Sequence, residues 1–140
     1  MPQPIPYLAF DGTCAAAMQF YARALGGTLE VLMTNGASPM ASHFPPATHH
    51  RILHARLALP DGGVLMAGDH CAETPFAGIQ GVAITLNYET VAAAERAFAA
   101  LAEGGTVTMP MTPSFWAKTF GMLTDRFGTP WIVNGAMLPH

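Results

Sequence analysis

The sequence predicts an α+β fold of two tandem βαβββ modules in a single domain, with module one over residues 1–70, a linker at 71–80 and module two over 81–140. Three observations carry it. Phe20 precedes Gly26 by six residues, and Phe98 precedes Gly104 by six. In both places a double glycine leads into a threonine and a strand-forming run, which a duplicated unit explains and one continuous sheet leaves as coincidence. The stretch Phe115–Asn134, FWAKTFGMLTDRFGTPWIVN, reads as two short strands turning about Asp125-Arg126-Phe127-Gly128, the closing hairpin of such a unit.

Tyr7–Phe10 is a short apolar run ended by Asp11-Gly12, a strand followed by a turn. Thr13 is a usable N-cap for a helix to Leu25, on which Cys14, Ala17, Met18, Tyr21 and Leu25 recur at three- and four-residue spacing beside Phe20 and Ala24. Gly26-Gly27 ends it, and Thr28–Met33 is the next strand. From Asn35 to His50 the chain is rich in Gly, Ser, Pro and His and has no period. This excursion reads either as a functional loop or as a mobile surface loop. Ile52–Leu59 alternates, with Leu53, Ala55, Leu57 and Leu59 on one face and Ile52, His54, Arg56 and Ala58 on the other. Pro60-Asp61-Gly62-Gly63 is a hairpin turn into the strand Val64–Ala67.

After the linker the order repeats. Val82–Leu86 is a strand, and Thr90 caps a helix with Val91, Ala94, Phe98 and Leu101 as its apolar stripe. Gly104-Gly105 ends that helix, Thr106–Met109 is a strand, and Pro110–Ser114 is a loop leading to the closing hairpin.

A chain of 140 residues buries enough apolar surface to fold without a disulfide or a metal. Cys14 and Cys71 lie far apart in no CxxC arrangement, so reduced, buried thiols are expected and neither a zinc ribbon nor a redox pair is. No apolar run approaches the roughly 20 residues of a membrane span. The start, MPQPIPYLAFDG, lacks the basic residues and apolar run of a signal peptide, so the expected location is cytoplasmic. A net charge of −3 with one lysine and scattered arginines offers no basic stripe for nucleic acid. The low charged fraction, 11%, points to an apolar surface and hence to a homodimer.

The motifs YLAFDG, FYARALGG, the HARL strand with VLMAGD after it, the AEGG helix end, VTMPM and the closing hairpin together resemble the PhnB-like branch of the vicinal oxygen chelate superfamily. That superfamily holds glyoxalase I, bleomycin resistance proteins and extradiol dioxygenases. The resemblance covers nearly the whole chain. It implies half-barrel sheets, a cleft that takes a small-molecule ligand, and modules paired within or between chains of a dimer. Members of the branch are sometimes labelled 3-demethylubiquinone methyltransferases, but no glycine-rich loop follows the first strand to hold a methyl donor.

In the superfamily a divalent metal is held by side chains from the first and last strand of each module. Here Ile5–Phe10 offers no ligand type, Val82–Leu86 offers only Thr85, and the last strand offers only the amide of Asn134. Asp69 and His70 stand alone at the end of the fourth strand, so neither a metal nor another cofactor is expected. Alternation turns His54 and Arg56 away from the leucine face and toward the cleft. His54 is the best single candidate for a catalytic group, the other reading being a histidine satisfied by a hydrogen bond in the cleft wall. Phe115, Trp116, Phe120 and Trp131 complete the expected ligand-binding cleft, the structural alternative for the first three being a dimer or core anchor. His43, His49 and His50 could join His54 at zinc, although their spacing fits no established pattern. Asp125 reads as a turn residue bonding its own backbone rather than as a base. Met33, Met66, Met109, Met111 and Met122 either line an adaptable pocket or fill core gaps. The function expected is binding of a small molecule without a metal; the alternative is a metal-dependent isomerase, lyase or dioxygenase of glyoxalase type.

Overall fold

The computed structural model describes residues 2–71 and 75–139, and the chain divides into two compact units, Met1–Gly78 and Ile79–His140. Of the expected linker, residues 72–74 lie outside the described residues. Unit 1 runs β1 (Tyr7–Phe10), α1 (Cys14–Leu25), β2 (Thr28–Thr34), two 3-10 turns (Ala41–His43 and Pro46–Thr48), β3 (Ile52–Ala58) and β4 (Val64–Asp69). Unit 2 runs β5 (Ile84–Tyr88), α2 (Val91–Ala102), β6 (Thr106–Thr112), β7 (Ala117–Thr124) and β8 (Pro130–Met137). The sheets are ordered β1-β4-β3-β2 and β5-β8-β7-β6, the same order with the same parallel first pair. Each is a βαβββ module of the predicted kind.

Each helix buries one stripe on its sheet. In α1 this is Cys14, Ala17, Met18, Phe20 and Tyr21, and in α2 it is Ala94, Ala97, Phe98 and Leu101. Phe20 and Phe98 are 5% and 8% exposed, so both rings sit in the core of their own unit. The sheet residues under the helices are equally buried: Leu8, Phe10, Ala55, Leu57, Leu65 and Ala67 in unit 1; Ile84, Ala117, Leu123, Trp131 and Val133 in unit 2.

The double glycine has a separate reason at each place. Gly26 and Gly104 take left-handed φ of +73° and +74° as the chain leaves each helix, a conformation that costs a side chain energy. The second glycine backs onto a strand: a Cβ on Gly27 would lie 2.7 Å from the Ala58 carbonyl, and one on Gly105 would overlap the Thr124 carbonyl. Ala58 pairs with Val64 and Thr124 with Pro130, so the two contacts fall at the same rung of each hairpin.

Several boundaries differ from the sequence reading. Thr13 holds the N-cap position, but its side chain makes no capping bond; Asp69 Oδ1 accepts from the Gly12 and Cys14 amides instead, 2.8 and 3.1 Å away. Thr90 does cap α2, accepting from the Ala93 amide at 3.1 Å. Strand β5 lies two residues later than predicted, leaving Val82 64% exposed. Strand β6 continues through Pro110 to Thr112, which its place at a sheet edge permits because an edge strand tolerates a missing donor. A register shift between Met33 and Thr34 in the β2–β3 pairing bulges β3 at Leu53, so Ile52 is buried at 4% rather than sharing the face of His54. Residues 35–50 form a closed lobe: Asn35 and Gly36 donate to the carbonyls of Arg51 and His49, and His49 Nε2 lies 3.1 and 3.0 Å from the carbonyls of Ala41 and Phe44.

Candidate functional site

Each sheet has one face under its helix and one face that no helix of its unit covers. On the uncovered face of unit 1, cross-strand pairing lines up Tyr7, Met66 and Arg56, with His54 and Met33 on the next rung. Gly68 makes this arrangement possible, since a Cβ there would lie 3.0 Å from the Tyr7 hydroxyl. The hydroxyl lies 3.3 Å from the Leu53 carbonyl and 3.4 Å from His54 Nδ1, and the two rings stack at 5.9 Å. Arg56 Nε donates to Glu30 at 3.0 Å. His54 and Arg56 therefore stand on the predicted face, each with a partner.

On the uncovered face of unit 2, Phe120 pairs with Asn134, Met122 with Ile132, and Asn134 with Asn87. Trp116 lies over this face at 4.6 Å from the Phe120 ring, and Phe115, 74% exposed, meets Trp116 edge-on at 4.9 Å. The Trp116 indole N–H donates to Asn134 Oδ1 at 3.0 Å, and Asn134 Nδ2 donates to Asn87 Oδ1 at 2.9 Å. An indole can only donate, so the order of the chain is fixed and Asn87 is left with its amide donor outward. Sequence reasoning missed Asn87 because it ended β5 at Leu86, two residues early. The signal was present in two asparagines, each following an alternating apolar strand.

Trp131 does not belong to this face. It alternates with Val133 and Gly135 on the α2 side, is 1% exposed, and donates its indole N–H to Asp125 Oδ2 at 2.8 Å. The sequence reading places it in the ligand-binding cleft with Trp116, whereas strand parity puts it in the core. Asp125 is the turn residue expected, accepting also from the Phe127 and Thr129 amides at 2.8 and 3.1 Å.

A divalent metal would need carboxylates or imidazoles on the strands that line these faces. On the uncovered faces the first and last strands of the units present Tyr7, Met66, Thr85, Asn87, Ile132 and Asn134, which include no carboxylate or imidazole. Asp69 points toward α1, where its second oxygen accepts from the Ile52 amide at 2.8 Å, so three backbone donors surround it. The His70 ring meets Phe76 at a tilt, 4.9 Å between centroids, with Nδ1 3.4 Å from the Phe10 carbonyl and 3.5 Å from Asp11. Among the described residues no three His, Cys, Asp or Glu converge, and the zinc grouping of His43, His49, His50 and His54 does not assemble. Cys14 is buried as expected, and that burial, helped by the Asp69 carboxylate, pushes its thiol up to about 12, whereas Cys71, expected to be buried, is exposed.

A separate cavity of about 380 Å³ lies inside unit 1 between the 35–50 lobe and the ends of β3 and β4. Phe44, Pro45 and Leu53 give it an apolar wall, with Arg51, His43 and Asp69 among its polar groups.

The Glyoxalase/Bleomycin resistance protein/Dioxygenase superfamily model matches residues 5–133. Protein YjdN of Escherichia coli K12 is 30% identical, with 92% of each chain covered. The crystal structure of protein PA1353 from Pseudomonas aeruginosa is 48% identical and superposes with a TM-score of 0.88, covering 96% of this chain and 97% of that one. The PhnB protein of Bacillus cereus shares the fold at 22% identity, with a TM-score of 0.77 over 95% of this chain and 98% of that one.

Proposed function

From the premise that the chain belongs to the glyoxalase/bleomycin resistance/dioxygenase superfamily, we propose that it is a homodimeric small-molecule-binding protein working without the superfamily's metal. The observation that supports this reading is the Trp116–Asn134–Asn87 relay beside Phe120. Aromatic rings give a flat apolar wall, and a pre-oriented amide gives one hydrogen-bond donor at its edge. That combination suits a planar ligand carrying an acceptor atom. The misfit of the donor set to a dication argues against the metalloenzyme alternative, because apolar, hydroxyl and amide groups compete poorly with water for such an ion. His54, held against Tyr7 on the uncovered face of unit 1, is in this reading a hydrogen-bonded face residue rather than a base.

The homodimer follows from the few charges and from exposed Val107, Met109 and Met137 on unit 2. Among the described residues no helix is long and apolar enough to cross a membrane, and the acidic balance gives nucleic acid no footing; a cytoplasmic location is part of the proposal.

The test is a thermal-shift screen of planar aromatic compounds against native protein and Trp116→Ala, alongside elemental analysis after metal-supplemented purification. The expected result is stabilisation by some acceptor-bearing planar compounds that Trp116→Ala abolishes, and no stoichiometric metal. About one equivalent of metal per chain, lost in His54→Ala or Asp69→Ala, would overturn the reading. Light scattering giving a mass near 14.8 kDa would remove the dimer.

A further inference from the structure

We infer that the cavity beneath the 35–50 lobe of unit 1 is a second binding site, for a small organic acid with a compact apolar body and one carboxylate. Its volume, about 380 Å³, falls in the range of ligand pockets, about 300–1,000 Å³. The site is separate from the aromatic face of unit 2 and does not depend on it.

The lobe that roofs the cavity is built, not loose. Asn35 and Ser38 are buried, Asn35 Nδ2 donates to the Thr48 carbonyl at 3.0 Å, and His49 bridges two carbonyls of the lobe. A Cβ on Gly36 would lie 2.8 Å from the His49 Cβ, so the lobe packs down to its base. Phe44, Pro45 and Leu53 give the body of a ligand an apolar wall, and an ion pair at its head is screened less beside that wall than in open water.

Arg51 supplies that head group's partner. Its side chain is 12% exposed, and through Nη2 alone it reaches both Asp11 Oδ1 at 2.9 Å and the His70 carbonyl at 3.0 Å. These two bonds fix the guanidinium plane. Nε and Nη1 carry three more N–H groups that have no acceptor among the described residues. A guanidinium held flat with a vacant edge matches a carboxylate, which takes two parallel hydrogen bonds. His43, also on the cavity and without a side-chain hydrogen bond among the described residues, can donate a third. The one carboxylate in the lining, Asp69, does not compete for Arg51, because its oxygens accept from the Gly12, Cys14 and Ile52 amides.

The test uses the whole chain at neutral pH and two probes of one shape, benzoate and benzamide, followed by amide chemical shifts. Benzoate is expected to move resonances of residues 43–53 and 69–71 in a saturable way, and benzamide to bind at least about tenfold more weakly for want of the charged pair. In Arg51→Gln benzoate affinity should fall about tenfold or more, and in His43→Ala, an exposed position that cannot unfold the unit, about two- to fivefold. Equal binding of the two probes, absence of saturable shifts in these segments, or full benzoate affinity in His43→Ala with a well-dispersed Arg51→Gln would each overturn the inference. Benzoate shifts confined to residues 116–134 would also overturn it while leaving the proposed aromatic site of unit 2 standing.

Discussion

The two units share a sheet order, a helix anchor and a double glycine, yet their uncovered faces differ at nearly every matched position. Pairing of Tyr7 with Met66 and of Arg56 with Met66 in unit 1 corresponds to pairing of Thr85 with Ile132 and of Met122 with Ile132 in unit 2. By that register Arg56 matches Met122, His54 matches Phe120, and Gly68 matches Asn134. Unit 1 therefore carries ion-pairing and stacking groups where unit 2 carries an aromatic and sulfur wall with an amide relay. The connections differ too: residues 35–50 build a lobe in unit 1, while Pro113–Trp116 suffices in unit 2. The two modules share what the backbone needs and differ on the faces that the proposed function would use.

The strongest way to break the comparison is through the anchors. Phe20→Ala and Phe98→Ala should each cost roughly 3–5 kcal/mol, since a buried ring leaves a cavity that its neighbours fill only in part. Urea unfolding of both variants checks this. A neutral effect at either position would mean that the two helices are not equivalent in packing.

Asp69 and Asp125 offer a sharper comparison. Asp69 ties the start of α1 to β3 and β4, and Asp125 ties the β7–β8 turn to the Trp131 indole, each with three N–H donors on one carboxylate. Replacing either with Ala strands those donors and should cost about 2–4 kcal/mol, whereas Asn, which keeps one acceptor, should recover about half. If Asp69→Ala proved harmless while Asp125→Ala did not, the acids would not be doing parallel work, and Asp69 would regain interest as a ligand group.

A smaller effect is expected on the uncovered faces, where function rather than stability is at stake. Trp116→Phe removes the indole donor but keeps a ring, so stability should change by less than about 1 kcal/mol while the orientation of Asn134 and Asn87 is lost. Binding of an acceptor-bearing planar ligand should then weaken by about three- to tenfold. His54→Phe, which installs in unit 1 the residue that unit 2 has at the matched position, should leave that binding unchanged. A loss there as large as at Trp116 would move the site toward unit 1.

The scaffold was legible in the sequence because its signals are local and repeated: glycine where φ is positive, threonine at a cap, apolar residues at the period of each element. The misreadings arose where a non-local fact decides. Pro110 looks like a breaker until β6 is known to be an edge strand, and Leu53 looks like part of an alternation until its pairing with β2 is seen to bulge. Trp131 reads as a cleft residue until its registration opposite Ile84 and Leu123 shows that it faces α2. Arg51 gave no signal, because its partners Asp11 and His70 lie 40 and 19 residues away.

The smallest effect is confined to alkaline pH and again separates the units. Helix α1 opens with a titratable group, Cys14, whereas α2 opens with Val91. Burial first, and the Asp69 carboxylate second, raise the Cys14 thiol from its ordinary 9.0 to about 12, since both disfavour a thiolate. Between these values the unfolded chain has lost the proton that the folded chain still holds. Stability must fall as pH rises through that window, while below pH 9 the contribution is constant and complete. Tyr7, raised from 10.0 by partial burial and then by Cys14, adds to the loss in the same direction. Cys14→Ala removes the thiol with a modest cavity, so at neutral pH it should be slightly less stable than the native chain, and the gap should narrow as pH climbs from 9 toward 12. Urea unfolding at a series of pH values measures it. Parallel curves for the two proteins across that range would show that the thiol ionises as freely in the fold as out of it, and the link between Asp69 and the start of α1 would need another account.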